Sequence, residues 1–517
     1  MAGRLKGSVA VLRRVGQRHP LLIAVPLALL LLGISLHAAE VILEGIPHSQ
    51  DEVVYLFQAK IFAYGYLYLP SLPIRVRRFF DHEFIINNGK WYGKYSPGHP
   101  LALVPGMAIG LPSFANALAG ATATILLFAL AARFYSLRTA VLACLLFAVS
   151  PFSILMSASF LSHAIALLFT LLFFLTMMSA VVSTCPERRS RLASIAGLSV
   201  GAVFLTRPYN AIGLLLYTAV CLGGILASRK ASGAHWLKMA ICFMVPLSLL
   251  ALAHLAYNWV LTGSPLVFPQ QAYSPYDTIG FGTRGVEWGA EFGWDEAVKH
   301  VKDNYRALKK VLVAWPGFYM IVAGLLAFLG RRRWPSLFLF PYVPIQVAAY
   351  GIYFHGGIFY GPRYWYEATW VLLVLAAEGM VVAFTWAERL VRSRHVWKVY
   401  AFGLVVLLGF SLKHDAALLP RYKGYNWMTR LQLPELEKPA LVFVQATDRW
   451  QAYGRYFILQ SPLLEQNEVI YARDQALHNV WKYRPPLDNL LLAGYFPGRH
   501  LYRIVESPAA AGSPPGR

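Results

Sequence analysis

Eleven or so stretches, each roughly 20 residues long and almost free of charge, divide this sequence into apolar runs separated by short polar connections. A chain so built has one solvent in which to fold, a lipid bilayer, and runs of that length without strict alternation cross it as helices. Composition agrees: of 517 residues 57% are apolar and only 14% charged. The sequence therefore predicts a polytopic α-helical membrane protein.

The first run, LLIAVPLALLLLGISLHAAEVIL from Leu21, follows Arg4, Lys6, Arg13, Arg14 and Arg18. A signal peptide cut near Ala39 is the competing reading, but the run's length and the many spans after it favour a retained anchor. Further spans are expected at 113–134, 137–156, 160–182, 192–205, 210–227, 237–261, 311–330, 336–354, 367–386 and 397–412. With residues 1–20 in the cytoplasm, the basic clusters should fall in the short inner connections. They do so at Arg133 and Arg138, at Arg188, Arg189 and Arg191, at Arg229 and Lys230, at Arg331, Arg332 and Arg333, and at Arg389, Arg392 and Arg394. In LTRPYN, Arg207 and Pro208 interrupt a longer run, which is read as two short spans with an outward tip.

The net charge of +22 is thus a topological signal rather than a nucleic-acid footprint, and no nucleic-acid partner is expected. Cys144, Cys185, Cys221 and Cys242 sit in or beside apolar runs without CxxC spacing, so they read as packing residues. No internal repeat and no pair of matched interrupted helices of the inverted-repeat transporter kind is visible.

Three segments on the outer side are too long or too polar to be plain turns: 44–99, 262–310 and everything after 413. The last contains β-like runs, LVFV from Leu441, VIYA from Val469 and LYRIV from Leu501, and predicts a small external α/β domain within 414–508. Residues 509–517, rich in Pro, Gly and Ala, read as a disordered tail.

The segment 44–99 carries the chemistry. In GIPHSQDEVVYLFQAKIFAYG, Ser49 and Glu52 have the spacing of a capping box, which gives Glu52 a structural task at a helix start. Asp51 is left over. The helix behind it puts Val53, Val54, Phe57, Ile61 and Phe62 on one broad face, with Gln58 and Lys60 elsewhere, suiting a helix that lies in the membrane interface. Asp51 would then stand at the mouth of any cavity between spans, where a carboxylate can serve as general base; a solvated helix start is the bland alternative.

Cations follow: Arg75, Arg77 and Arg78, then Lys90 and Lys94, on the face where the positive-inside rule disfavours them. They are read either as solvated or headgroup-bound, or as a phosphate site. In HGGIFYGPRYWYEA, Arg363 and Tyr364 stand among glycines and aromatics just before a span, suiting a phosphorylated or sugar ligand, with a snorkelling Arg363 as the alternative. His163, at the outer end of a span, is either a packing histidine or a ligand contact. No D-x-D motif is present; His48, Asp81, His82 and Glu83 leave a divalent metal open, and no cofactor is required.

With DE after the first span, KYSPGHPLALVPG closing the loop, AGLSVGAVFLTRPYNAIGLLL, YNWVLTGSPLVFP and GPRYWYEA, the chain resembles the GT-C glycosyltransferases. It is most similar to the bacterial branch of the protein O-mannosyltransferase and aminoarabinose transferase superfamily (glycosyltransferase family 39-like), over residues 21–386. That resemblance implies a GT-C fold with about 11 transmembrane helices, its catalytic loop at 44–99, and a C-terminal domain that looks like a family-variable appendage. It also implies a polyprenyl-phosphate sugar donor, Asp51 as base toward the acceptor with Glu52 beside it, and Arg75, Arg78, Lys94, His99, His163, Arg363 and Tyr364 as candidate substrate contacts. Aminoarabinose transferases carry Lys-Pro-Pro near the end of this loop, where this chain has Lys94-Tyr95-Ser96-Pro97-Gly98-His99-Pro100; His99 is a substitute candidate for the phosphate contact. The implied reaction is sugar transfer to a lipid, glycan or protein acceptor at the external face of a bacterial inner membrane, by single displacement with inversion. A lipid-linked oligosaccharide polymerase or ligase and a transporter or flippase are the competing readings.

Overall fold

The computed structural model describes residues 21–227, 233–277, 279–283, 291–313, 317–391, 395–445, 450–475 and 488–505. The expectations for 1–20 and 509–517, and for the inner-loop cations Arg229, Lys230, Arg392 and Arg394, lie outside the described residues.

The chain opens with α1 (Leu21–His37), whose last turn widens into a π-helical stretch at Ala38–Ile42, and α2 (Gln50–Ala63). A three-stranded antiparallel sheet follows, β1 (Leu69–Pro70), β2 (Ile85–Asn87) and β3 (Lys90–Gly93), in the order β1-β3-β2. Helices then dominate: α3 (Gly98–Ala108), α4 (Phe114–Phe134), α5 (Leu137–Ala148), α6 (Pro151–Ala158), α7 (His163–Val182), α8 (Pro186–Thr206), α9 (Pro208–Ala227) and α10 (Gly233–Thr262). After a short α11 (Pro269–Tyr273) come α12 (Trp294–Val311), α13 (Gly317–Leu326), α14 (Arg333–Leu339), α15 (Tyr342–Gly351), α16 (Tyr366–Val391) and α17 (Val396–Leu418).

Among the described residues six helical stretches are long and apolar enough to cross a membrane: Leu21–Ile42, Phe114–Phe134, His163–Val182, Trp236–Thr262, Arg363–Val391 and Val396–Tyr422. The pair α5 and α6, bent by 62° where Pro151 opens the second helix, makes a seventh if it is one span, and Pro208–Cys221 and Met320–Leu329 are shorter apolar helices. The expected span at 192–205 lies inside α8, and that at 336–354 is divided between α14 and α15, with Pro341 between them. The break at LTRPYN falls where Pro208 removes an amide and forbids its predecessor a helical conformation, so α8 ends at Thr206.

Helix contacts in the body depend on small residues. At Gly379 of α16 an added Cβ would lie 1.6 Å from the Ala323 carbonyl oxygen, so α13 and α16 touch backbone to backbone there, a spacing that any larger side chain would open.

The C-terminal part folds as a three-stranded parallel sheet, β4 (Ala440–Gln445), β5 (Val469–Arg473) and β6 (His500–Val505), ordered β5-β4-β6, with α18 (Trp450–Phe457) and α19 (Leu490–Tyr495). The apolar β4 is buried along its length except at Gln445. Its core is shared. Leu441, Val442, Phe443, Tyr453 and Phe457 pack in one cluster with Val53, Phe57 and Ile61 of α2 and with Phe79, Phe80 and Trp91 of the first loop. The unit thus packs on the first loop, and one expectation changes: α2 lies between protein layers rather than in the lipid interface. The polar residues of α2 are accommodated inside: Gln58 donates to the Leu67 carbonyl at 2.9 Å and accepts from the Gly93 amide at 2.9 Å, and Lys60 donates to the carbonyls of Ile458 and Gln460.

Candidate active site

The start of α2 decides which carboxylate does what. Ser49 caps the helix, its hydroxyl accepting from the Glu52 amide at 3.3 Å while the Ser49 amide donates back to Glu52 Oε2 at 3.0 Å. The His48 amide donates to the same oxygen at 2.6 Å, and the Phe160 amide to Oε1 at 2.9 Å. Both oxygens of Glu52 are thus held by backbone amides inside the protein. Burial pushes its carboxyl up to about 7 against those amides. Asp51, a turn of 100° around the helix, faces the other way.

It faces a cavity of about 610 Å³. The wall is assembled from segment ends: Ser49 to Asp51 at the start of α2, Lys94 to Ser96 after β3, Leu161 to His163 at the start of α7, Thr206 to Tyr209 at the helix break, Phe268 to Gln271, and Tyr350 to Tyr364. The topology read from the sequence places every one of these ends on one side of the bilayer.

Asp51 is paired twice. The Tyr95 hydroxyl donates to Oδ1, and Arg363 Nη1 donates to Oδ2 at 2.5 Å. Burial alone would raise the Asp51 carboxyl, but the Arg363 guanidinium, the Tyr95 hydroxyl and the Lys94 ammonium outweigh it and hold it at about 2. Arg363 Nε is buried and has no partner among the described residues, so the guanidinium keeps donor capacity beyond its contact with Asp51. Lys94, 6% exposed, lies 3.4 Å from the centre of the Phe84 ring and 3.9 Å from Asp277 Oδ2. Burial lowers its affinity for a proton, and Asp51 and Asp277 work against that.

A second network lies beside the first. His163 Nδ1 is 3.0 Å from Glu367 Oε1, and its Nε2 is 3.3 Å from Arg207 Nη1. Arg207 also donates to Ser162 Oγ at 3.0 Å, Tyr350 Oη at 3.0 Å and Asn210 Oδ1 at 3.2 Å. With its donors so committed, Arg207 acts as a brace that fixes the helix break against α7 and α16, whereas Arg363 is the cation with capacity to spare. Tyr364 stacks on Tyr350 at 4.6 Å and 13° and receives Arg363 at 5.2 Å from its ring centre.

The cavity therefore brings together Asp51, Lys94, His163, Arg363 and Tyr364. It does not include Glu52, Arg75, Arg78 or His99. Arg75 is exposed on the first loop, and Arg78 is half-buried with its carbonyl accepting from Gln475 at 3.1 Å, beneath the C-terminal unit. His99 is fully buried, its Nε2 2.7 Å from the Phe160 carbonyl, and burial drives it down to about 3, so it stays neutral and packs edge-on against Tyr55, outside the cavity lining. His48 lies between the carbonyls of Leu43 and Tyr425, and His82 stacks on Phe457. Among the described residues no three His, Cys, Asp or Glu side chains gather as a metal site would require.

Reading the sequence alone misses Tyr95, Arg207 as a brace, Tyr350 and Asp277. Arg207 was visible as a cation inside an apolar run; Asp277 had no signal beyond its polar segment.

No protein-family model matches the chain, and no curated protein matches it in sequence. Solved structures do. The chain is similar to ArnT from Cupriavidus metallidurans bound to undecaprenyl phosphate, at 14% identity and a TM-score of 0.50, over 88% of this chain and 90% of that one. The fold is that of the GT-C glycosyltransferases. A second GT-C structure, the Archaeoglobus fulgidus oligosaccharyltransferase tethered to an acceptor peptide containing the NVT sequon, aligns at 13% identity and a TM-score of 0.50, over 84% of this chain and 62% of that one.

Proposed function

We propose that this GT-C protein transfers a sugar from a polyprenyl-phosphate carrier to a lipid, glycan or protein acceptor at the external face of a bacterial cytoplasmic membrane. The observation that carries the reading is Asp51 inside a cavity of about 610 Å³ and in contact with Arg363, a carboxylate and a cation held side by side. Displacing a sugar from a lipid phosphate needs a base for the acceptor and positive charge for the departing phosphate. Asp51 takes the acceptor's proton; Arg363, with unused donors, meets the phosphate, and Lys94 adds positive field. As the phosphate draws Arg363 away, Asp51 loses the partner that holds its carboxyl low and becomes the stronger base. A single displacement inverts the anomeric centre.

A transporter would need ionisable groups near the middle of its spans. Here His163 is the first residue of α7 and Glu367 lies in the first turn of α16, so both stand at helix ends beside the cavity, while Glu378, in the middle of α16, is taken up by the Thr139 hydroxyl at 2.7 Å. That supports chemistry at one face over passage through the membrane.

The test is to incubate the purified protein with radiolabelled polyprenyl-phosphate monosaccharide and, separately, with polyprenyl-diphosphate oligosaccharide. Consumption of the first alone is the expected result; consumption of the second alone makes the protein an oligosaccharide polymerase or ligase, and consumption of neither removes the transfer reading.

A further inference from the structure

The donor's sugar must lie against some part of the wall, and one part has the character of a hydroxyl-binding end. Asp277, its side chain 8% exposed, accepts from Gln270 Nε2 at 2.7 Å and from the Tyr353 hydroxyl at 3.2 Å, and Gln270 Nε2 also lies 3.1 Å from that hydroxyl. The arrangement is fixed by backbone: Ile279 and Tyr353 form a bridge, and the Gly280 amide donates to the Ile352 carbonyl at 2.9 Å. Asp277, Gln270 and Tyr353 all line the cavity, beside a wall of tyrosine rings in which Tyr364 meets Tyr353 edge-on at 5.5 Å. An ionised carboxylate has about four acceptor positions, so two neighbouring donors leave room for a ligand hydroxyl.

The charge of that end is set by Lys94, 3.9 Å from Asp277. A sugar ammonium arriving at Asp277 would stand next to the Lys94 ammonium already there. A neutral hydroxyl meets no such penalty. We infer that Asp277, with Gln270 and Tyr353, grips the hydroxyls of the transferred sugar, and that the Lys94–Asp277 pair selects an uncharged sugar over an amino sugar. This rests on the transfer reading above and names the substrate class within it.

The experiment measures binding of three lipids to the full-length protein in nanodiscs: bare polyprenyl phosphate, the same lipid carrying a neutral hexose, and the same lipid carrying a protonated amino sugar. The wild type is expected to bind the hexose lipid roughly tenfold more tightly than the amino-sugar lipid. Asp277→Asn is expected to lose about tenfold in affinity for the hexose lipid and to keep its affinity for bare polyprenyl phosphate, which also reports that it has folded. If Asp277→Asn does not fold, Gln270→Ala carries the same comparison. Equal affinity for the three lipids, preference for the amino sugar, or equal loss of the bare and hexose lipids overturns the inference and leaves the transfer reading standing. Failure of the wild type to bind any of them overturns both.

Discussion

Arg363 and Asp51, 312 residues apart in the chain, meet at 2.5 Å in the cavity wall and join the start of α16 to the start of α2. The contact brings a carboxylate and a guanidinium together from distant parts of the chain.

If Asp51 is the base, Asp51→Asn removes proton abstraction while keeping shape. Transfer is expected to fall by about 10²–10⁴ in kcat, with polyprenyl-phosphate binding retained. Single-turnover assays on the radiolabelled donor, run beside a lipid-binding measurement, check both halves; an active Asn variant removes Asp51 from the mechanism.

The pH profile should show the pairing directly. The Asp51 carboxyl lies below its ordinary value, at about 2, so the ion pair's contribution to stability is complete above the usual carboxylate range and is lost as pH falls toward 2. For kcat/KM this places any acid limb due to Asp51 well below pH 4. Arg363→Gln removes the strongest partner holding the carboxyl down while burial still pushes it up, so the acid limb is expected to move upward by one unit or more (about 1.4 kcal/mol per unit). A profile unchanged in that variant would show that Arg363 does not control the ionisation of Asp51.

Glu52 is expected to behave as structure. Glu52→Ala leaves the His48, Ser49 and Phe160 amides without their acceptor, at about 1–3 kcal/mol for each that stays buried and unpaired. Thermal unfolding in detergent should show a lowered midpoint, whereas Ser49→Ala, which removes one cap, should cost about 0.5–2 kcal/mol.

Gly357 tests how tightly the wall is built. Its φ is +71°, and an added Cβ would lie 2.2 Å from Tyr364 Cδ2, so Gly357→Ala must push that ring, and Arg363 beside it, out of place. Transfer is expected to drop about 10²-fold. Normal activity would mean that the ring's position is immaterial.

Phe457 of α18 is not part of the cavity lining and packs against Phe57 at 5.3 Å and His82 at 5.1 Å. Phe457→Ala is expected to cost about 3–5 kcal/mol and to loosen α2, lowering activity together with stability. A variant that is destabilised yet fully active at low temperature would show that α2 keeps its place without the C-terminal sheet.

Much of this was legible in residue pattern. Apolar run length gave the helical body, the Ser49-to-Glu52 spacing gave the cap, and the β-like runs at Leu441, Val469 and Leu501 mark strands that the structure pairs in parallel. What pattern could not give was depth. Gln58 and Lys60 read as the polar side of an interfacial helix, but an amide and an ammonium that find backbone partners can be buried, and those partners, Leu67, Gly93, Ile458 and Gln460, are known only once the chain has folded. Arg75, Arg78 and His99 stand outside the cavity lining for the same reason: charge and proximity in sequence say nothing of which side of a loop faces the cavity. Asp277 was out of reach altogether, because what makes it notable is Lys94, 183 positions away.

The sheet that packs on α2 is made long after it. While a ribosome is still extending the polypeptide, the helix that carries Asp51 lacks one of its neighbouring layers, and its apolar side stands bare until the three C-terminal strands have emerged and docked. The surroundings of Asp51 are thus completed well after the first helices have been made, a built-in delay between entering the membrane and reaching the finished fold.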